Sequence, residues 1–252
     1  LKKISISGGA SVTLCDAANI WGGSWRSDDT ITLAATGNLG LFQVSAAGGT
    51  PQPLTKVDSA KGEFNHHWPQ FLPGGKAVLS TVQTQASSNS NDYWIAVQDL
   101  ETGERKVLVQ GGTYGQYLFS GHLAYVQSAT LMVAPFDLRR LELTGPAIPV
   151  VEGVMQSTGN GGAQFSVSDG GSLVYVPGTG RGTERTLVWV ERRGMEQPVG
   201  APARPYTMPR LSPDGGLLSV NQAAPSSVWV YNIPRGTLSR LTFVGTGNYP
   251  VW

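Results

Sequence analysis

Cysteine is nearly absent: Cys15 is the only one in 252 residues. That excludes an internal disulfide framework and a cysteine-based zinc site, and it leaves the redox compartment open. Charge is also scarce. Charged residues make up 14% of the chain against about 25% in an average protein. Eighteen Lys and Arg stand against seventeen Asp and Glu, a formal net charge of +1. This balance gives no general attraction for nucleic acid or an anionic membrane. No apolar run reaches the roughly 18 residues of a membrane helix. Helical periodicity is missing too, because Gly, Pro, Ser, Thr and Asn interrupt every window that would need apolar residues at i, i+3, i+4 and i+7.

What the chain has instead is turn residues, 33 Gly and 16 Pro, set between short apolar or alternating runs. Thr30–Ala34, Ala77–Val82, Leu123–Val126, Leu217–Val220 and Ser227–Tyr231 are typical runs. Short strands with Gly-rich turns predict an all-β sandwich, barrel or propeller. A repeat decides among these. One anchor is an aromatic or apolar residue followed by a polar turn: Trp25-Arg-Ser-Asp-Asp29, Phe71-Leu-Pro-Gly-Gly75 and Leu211-Ser-Pro-Asp-Gly215, with weaker copies at Phe119–Gly121 and Ser168–Gly170. A second anchor is a strand, a Gly-centred turn and another strand, as in Leu41–Thr55, Trp94–Leu108 and Trp229–Thr242. The two alternate with a period of about 45 residues, the size of a four-stranded propeller blade. In Ser212-Pro-Asp-Gly215, Pro presets φ, Asp bonds its own backbone and Gly accepts positive φ.

This pattern resembles the PD40, or TolB-like, β-propeller repeat, with its aromatic-Ser-Pro-Asp-Gly turn and Gly-Gly-x-x-x-x-Leu-Thr hairpin. Leu211–Gly215, Gly48–Thr55 and Arg240-Leu-Thr242 carry the likeness. The chain is similar in particular to propellers at the C-terminal end of bacterial serine/threonine protein kinases. That resemblance implies a sensing or scaffolding module, extracytoplasmic where such a propeller is attached to a membrane-spanning kinase, and it supplies no catalytic residue. The residues themselves do not assign a compartment.

The expected architecture is one all-β propeller over residues 1–252. Five blades fall at about 18–57, 58–111, 112–153, 154–200 and 201–246. An incomplete sixth combines 247–252 with 1–17, because Trp252 stands where Trp25 and Leu211 stand in their repeats. Strand exchange between the ends would close the ring. Five blades with frayed tails is the alternative. The missing second strand of the sixth blade makes the chain read as a fragment of a longer bacterial protein.

Motifs for chemistry are few. No Ser has Gly at both −2 and +2, so a nucleophile elbow is missing. Gly159-Asn-Gly-Gly162 lacks the Lys of a phosphate loop, and no His-Arg-Asp or Asp-Phe-Gly marks a kinase core. The segments before the inner strands are expected to converge on one channel face. They carry Trp21, Glu63, His66, His67, Trp68, Tyr114, Asn160, Tyr206 and Asn248, the candidate binding residues. Aromatics beside Gly-rich loops suit peptide or small-ligand recognition and suit packing between blades equally. Adjacent His66 and His67 point to opposite faces of a strand and rarely ligate together. The expected function is therefore noncatalytic: binding or sensing of a protein, peptide or small ligand, without a cofactor, nucleic acid or membrane insertion. The alternative is a metal-dependent lactonase or esterase, with calcium held by Glu63, a histidine and Asn160 or Asn248 in the channel.

Overall fold

A computed structural model describes residues 1–17, 19–35, 37, 39–85, 90–157, 159–178, 185–191, 194–223, 226–243 and 249–252. Its strands group into five antiparallel blades. The first holds β3 (Gly23–Trp25), β4 (Thr30–Ala34), β5 (Leu41–Ser45) and β6 (Gln52–Pro53). The second holds β7 (Glu63–Phe71), β8 (Ala77–Thr84), β9 (Trp94–Asp99) and β10 (Arg105–Gln110). The third runs β11 (Thr113–Leu118), β12 (His122–Gln127) and β13 (Thr130–Asp137); β14 (Glu142–Leu143) and β15 (Ile148–Val151) share its outer edge by pairing with different parts of β13. The fourth is β16 (Phe165–Val167), β17 (Leu173–Tyr175), β18 (Val188–Val190) and β19 (Glu196–Pro198). The fifth is β20 (Tyr206–Leu211), β21 (Leu217–Ala223), β22 (Ser226–Asn232) and β23 (Thr237–Arg240). Among the described residues there is no α-helix, and none long and apolar enough to cross a membrane.

The five-blade reading is the one this architecture matches. The sixth blade expected from strand exchange is not built. β1 (Lys2–Lys3) and β2 (Val12–Thr13) pair only with each other, and their hairpin docks on the first blade. Leu14 and Cys15 pack there with Ile31, Leu33 and Val44, and Lys3 Nζ donates to the Ala46 carbonyl at 2.7 Å. Residues 249–252 form no strand. They lie along the channel instead, anchored by Trp252 Nε1 donating to the Arg210 carbonyl at 2.9 Å.

Most of the apolar cores sit in the seams where the faces of successive sheets meet. Leu79, Ile95 and Val97 of the second blade pack with Leu123, Tyr125 and Phe136 of the third. Val174 and Leu187 of the fourth pack with Tyr206, Leu218 and Val220 of the fifth. The inner strands are also stitched by polar groups. Ser24 Oγ accepts from Phe71 N at 3.1 Å, Gln70 Oε1 from Tyr117 N at 2.6 Å, and Ser166 Oγ from Leu211 N at 2.9 Å. In all three the side chain belongs to one blade and the amide to the next, so these seams are held by directional bonds as well as by area.

Candidate functional site: an aromatic partition and a polar cavity in the channel

Glu63, His66, His67, Trp68, Tyr114 and Tyr206 were expected in segments before the inner strands; the structure places them inside β7, β11 and β20. Three of the five inner strands, and the residue just before β3, carry a left-handed backbone at one equivalent position. Gly22, Trp68, Tyr114 and Met208 have φ of 95°, 50°, 58° and 52°, and Tyr249 in the C-terminal segment has 54°. Large side chains seldom adopt this conformation. Here it accompanies register shifts between His67 and Gln70, Thr113 and Gln116, and Thr207 and Arg210. A bulge bends the strand and re-aims a side chain. These bulges turn the large residues toward the axis.

The result is a partition across the channel. Trp68 meets Tyr114 edge-on with ring centroids 5.3 Å apart and Tyr249 at 5.4 Å; Tyr114 meets Phe165 at 5.3 Å. Met208 completes the cluster. Trp68 is 4% exposed and Tyr114 1%. The Trp68 Nε1 donates to the Asn160 carbonyl at 2.7 Å, which satisfies the one polar atom of a buried indole. The indole fits because Gly22 and Gly162 lack side chains: a Cβ on either would stand 2.8 or 2.7 Å from the ring.

On the side where the inner strands begin lie most of the residues singled out from sequence. The structure brings Trp21, His67, Trp68, Tyr114 and Asn160 together around the partition. His67 is fully buried, edge-on to Trp21 at 4.5 Å and to Tyr93 at 6.1 Å. Neither of its ring nitrogens makes a hydrogen bond of good geometry among the described residues; the Asn160 backbone is its polar neighbour. Burial pushes its pKa down to about 3, so the ring is neutral at pH 7. Glu63 and His66 do not join this group; the paired histidines diverge, as alternation along a strand requires. They lie in the seam between the first two blades. Leu41 N donates to Thr55 Oγ1 at 2.8 Å, and that hydroxyl meets His66 Nδ1 at 2.7 Å. His66 Nε2 stands 3.1 Å from Glu63 Oε2 and 3.1 Å from Arg105 Nη1. Arg105 Nη1 also bonds Glu63 Oε2, and its Nη2 donates to the Lys56 carbonyl at 2.6 Å. Burial alone would raise the Glu63 carboxyl. The bonds from His66, the Asp58 amide and Arg105 outweigh it and hold the pKa at about 2. Burial also lowers His66. This network ties two blades together and leaves neither Glu63 nor His66 turned to the channel. Tyr206 is buried in the seam between the fourth and fifth blades, its hydroxyl donating to the Pro202 carbonyl at 2.6 Å. Asn248 lies outside the described residues. Among the described residues, no three His, Cys, Asp or Glu stand close enough to hold a metal ion.

The open space is on the other side of the partition. A cavity of about 190 Å³ is lined by all five inner strands and by Val251 and Trp252. Its floor is Trp68 and Tyr114, and its wall carries Ser24, Gln70, Gln116, Ser166 and Arg210. A second hollow of about 530 Å³ lies at the same end, between Trp25, Arg26, Phe71, Tyr117 and the exposed Phe119. Sequence reasoning named none of the polar wall. A partial signal was present: Gly22-Gly23, Trp68-Pro69, Tyr114-Gly115 and Met208-Pro209 each stand directly before a wall residue, Ser24, Gln70, Gln116 and Arg210, whereas Ser166 has no such dipeptide before it.

No protein-family profile and no curated protein matches the chain. Solved structures do. TolB from Acinetobacter baumannii superposes with a TM-score of 0.69 at 15% identity, over 95% of this chain and 58% of that one. An oligogalacturonate lyase in complex with manganese gives 0.59 at 15%, over 91% and 67%. A Mycobacterium tuberculosis puromycin-hydrolyzing peptidase gives 0.61 at 14%, over 93% and 48%. The chain thus spans little more than half the length of the TolB chain it matches. Likeness at such identities is likeness of fold, and the same architecture carries enzymes of two kinds among these neighbours. The chain has the fold of a TolB-like β-propeller.

Proposed function

We propose that the chain is a noncatalytic binding module that receives its ligand at the turn end of the channel. One observation carries this reading: the cavity beneath Trp68 and Tyr114, walled by polar groups from several blades. The backbone supports it as well. Left-handed conformations of Trp68, Tyr114, Met208 and Tyr249 cost on the order of 1–3 kcal/mol each, and such strain gathers at ligand sites. The size of the cavity sets the kind of ligand. At about 190 Å³ it is smaller than the roughly 300–1,000 Å³ that encloses a drug-sized molecule. It takes one side chain or chain end, while the rest of the ligand lies over the larger hollow beside it. A peptide or a protein segment meets that description, and binding it calls for no cofactor. Attachment to a kinase, and an extracytoplasmic place for the propeller, belong to the same proposal and rest on the repeat alone.

The test is binding of a capped-peptide library to the wild-type chain and to Gln116→Trp, which fills the cavity. The expected result is binders that lose at least tenfold affinity for the folded variant. Equal affinity for both refutes the channel as the site. Turnover of esters or lactones that chelation abolishes would replace this reading with the metal-dependent hydrolase.

A further inference from the structure

The cavity has a sign. Of its lining residues only Arg210 is charged, and no Asp or Glu is among them. Arg210 belongs to the fifth blade, yet its guanidinium carbon stands 5.1 Å over the ring of Tyr114 in the third. The side chain therefore reaches across the channel. It has no carboxylate within 4 Å among the described residues; Nη1 donates to the Pro209 carbonyl at 3.0 Å, and the guanidinium also neighbours the buried Tyr114 hydroxyl. A guanidinium has five N–H donors, so most of this fork is unspent.

The neighbouring groups add donors of the same sense. Ser24 Oγ and Ser166 Oγ each accept a backbone amide from the next blade, and neither hydroxyl donates to a described group. The Gln116 amide, on the same wall, makes no hydrogen bond within the described residues. Gln70 is different: it is committed in both directions to Tyr117, accepting at 2.6 Å and donating at 3.3 Å. A half-enclosed cation with several idle donors and no counter-charge is a site for an anion, since burying a charge unpaired is costly and a charge-assisted bond recovers that cost.

The geometry points to a carboxylate as the group that this cavity takes: the acidic side chain, or the carboxyl end, of the peptide ligand proposed above, on which this inference rests. A carboxylate carries one charge and matches the single Arg210. A phosphate monoester carries about −1.5 to −2 near pH 7 and would leave charge uncompensated inside the cavity. The planar fork of Arg210 also suits two-point binding of a carboxylate. The indole of Trp252, bonded to the Arg210 carbonyl at the cavity wall, supplies a local reporter.

The experiment titrates acetyl-Gly-Glu-Gly-amide, acetyl-Gly-Gln-Gly-amide and acetyl-Gly-phosphoserine-Gly-amide into the chain, following the Trp252 indole N–H by NMR. The glutamate peptide is expected to bind at one saturable site, about ten- to a hundredfold tighter than the glutamine peptide, the range for a hydrogen bond to a charged group. It should also bind tighter than the phosphopeptide. Arg210→Gln should abolish the preference for glutamate. Gln116→Glu, which keeps Arg210 and sets a carboxylate on the same wall, should abolish it as well, so the result does not hang on one variant. Equal binding of the glutamate and glutamine peptides at Trp252 overturns the carboxylate assignment and leaves the channel as the binding site. A tighter phosphopeptide overturns the choice of anion. Saturable binding of these peptides without movement of Trp252 overturns both readings.

Discussion

Gly22→Ala tests the partition, because the mutation asks the Trp68 indole to share space it fills. Gly22 has φ of 95°, and a Cβ there would stand 2.8 Å from Trp68 Cε3 and 3.1 Å from Trp68 Cα. Alanine in a left-handed conformation costs about 1–2 kcal/mol. Forcing a methyl against a packed ring costs about 1–3 kcal/mol more. The narrower unfolded ensemble of alanine returns about 0.4–1 kcal/mol. A net loss of about 1–5 kcal/mol follows. For a chain of this size each kcal/mol lowers Tm by roughly 2–4 °C. Urea denaturation with linear extrapolation reads the loss directly, and a double-mutant cycle with Trp68→Leu separates its parts. The backbone cost persists in the double mutant. The steric cost against the ring does not, while the 3.1 Å approach to the Cα of residue 68 remains, so the pair should couple by up to about 1–3 kcal/mol. Coupling below about 0.5 kcal/mol would show that Trp68 does not occupy the space beside Gly22, and the partition would fall with it.

Two further predictions concern acid. The Glu63 carboxyl sits at about 2, below its ordinary 4.5, so its contribution to stability is complete above pH 4.5 and is lost as pH falls toward 2. From the size of that shift it is on the order of 3 kcal/mol. Glu63→Gln should flatten the urea midpoint between pH 4.5 and 2, at the cost of stability at pH 7 from an unpaired Arg105; a wild-type slope in the variant would contradict the network. His67 sits at about 3 against 6.5, so its neutral form stabilises the fold above pH 6.5 and the benefit is lost as pH falls from 6.5 toward 3. His67→Phe should hold stability within about 1 kcal/mol at pH 7, because two nitrogens without a well-formed hydrogen bond leave a buried site. It should also remove the part of the acid loss that belongs to His67; an unchanged profile between pH 6.5 and 3 would refute this.

The fold was legible because propeller turns write themselves in residue types. Ser212-Pro-Asp-Gly215 forms the turn its residues predict: Asp214 Oδ1 accepts from Ser212 Oγ and from Gly216 N. Hairpins such as Leu41–Thr55 and Trp229–Thr242 became the β5–β6 and β22–β23 pairs. The sixth blade was overdrawn: Trp252 matched a repeat position, yet residues 249–252 form no strand. Trp21, Trp68 and Tyr114 did converge on the channel, but as parts of a partition. Nothing local to Trp68 or Met208 announces a left-handed backbone, and the proline that follows each would ordinarily favour an extended one. Their conformation is imposed by packing against other blades. Arg210 was hidden for a related reason. Its role depends on reaching a ring some ninety-six positions earlier in sequence, at Tyr114, and on the absence of any acid around it.

The most direct measurement is thiol protection at the two ends of the channel. Cys15 is buried at 7% exposure, so an added cysteine labels over little background. Gln116→Cys lies in the cavity below the partition, and Asn160→Cys lies beside Trp68 on the other side. With a bound peptide, labelling should slow at Gln116→Cys and stay unchanged at Asn160→Cys. Protection at Asn160→Cys with none at Gln116→Cys would place the ligand on the face where the inner strands begin and contradict the site argued from the cavity.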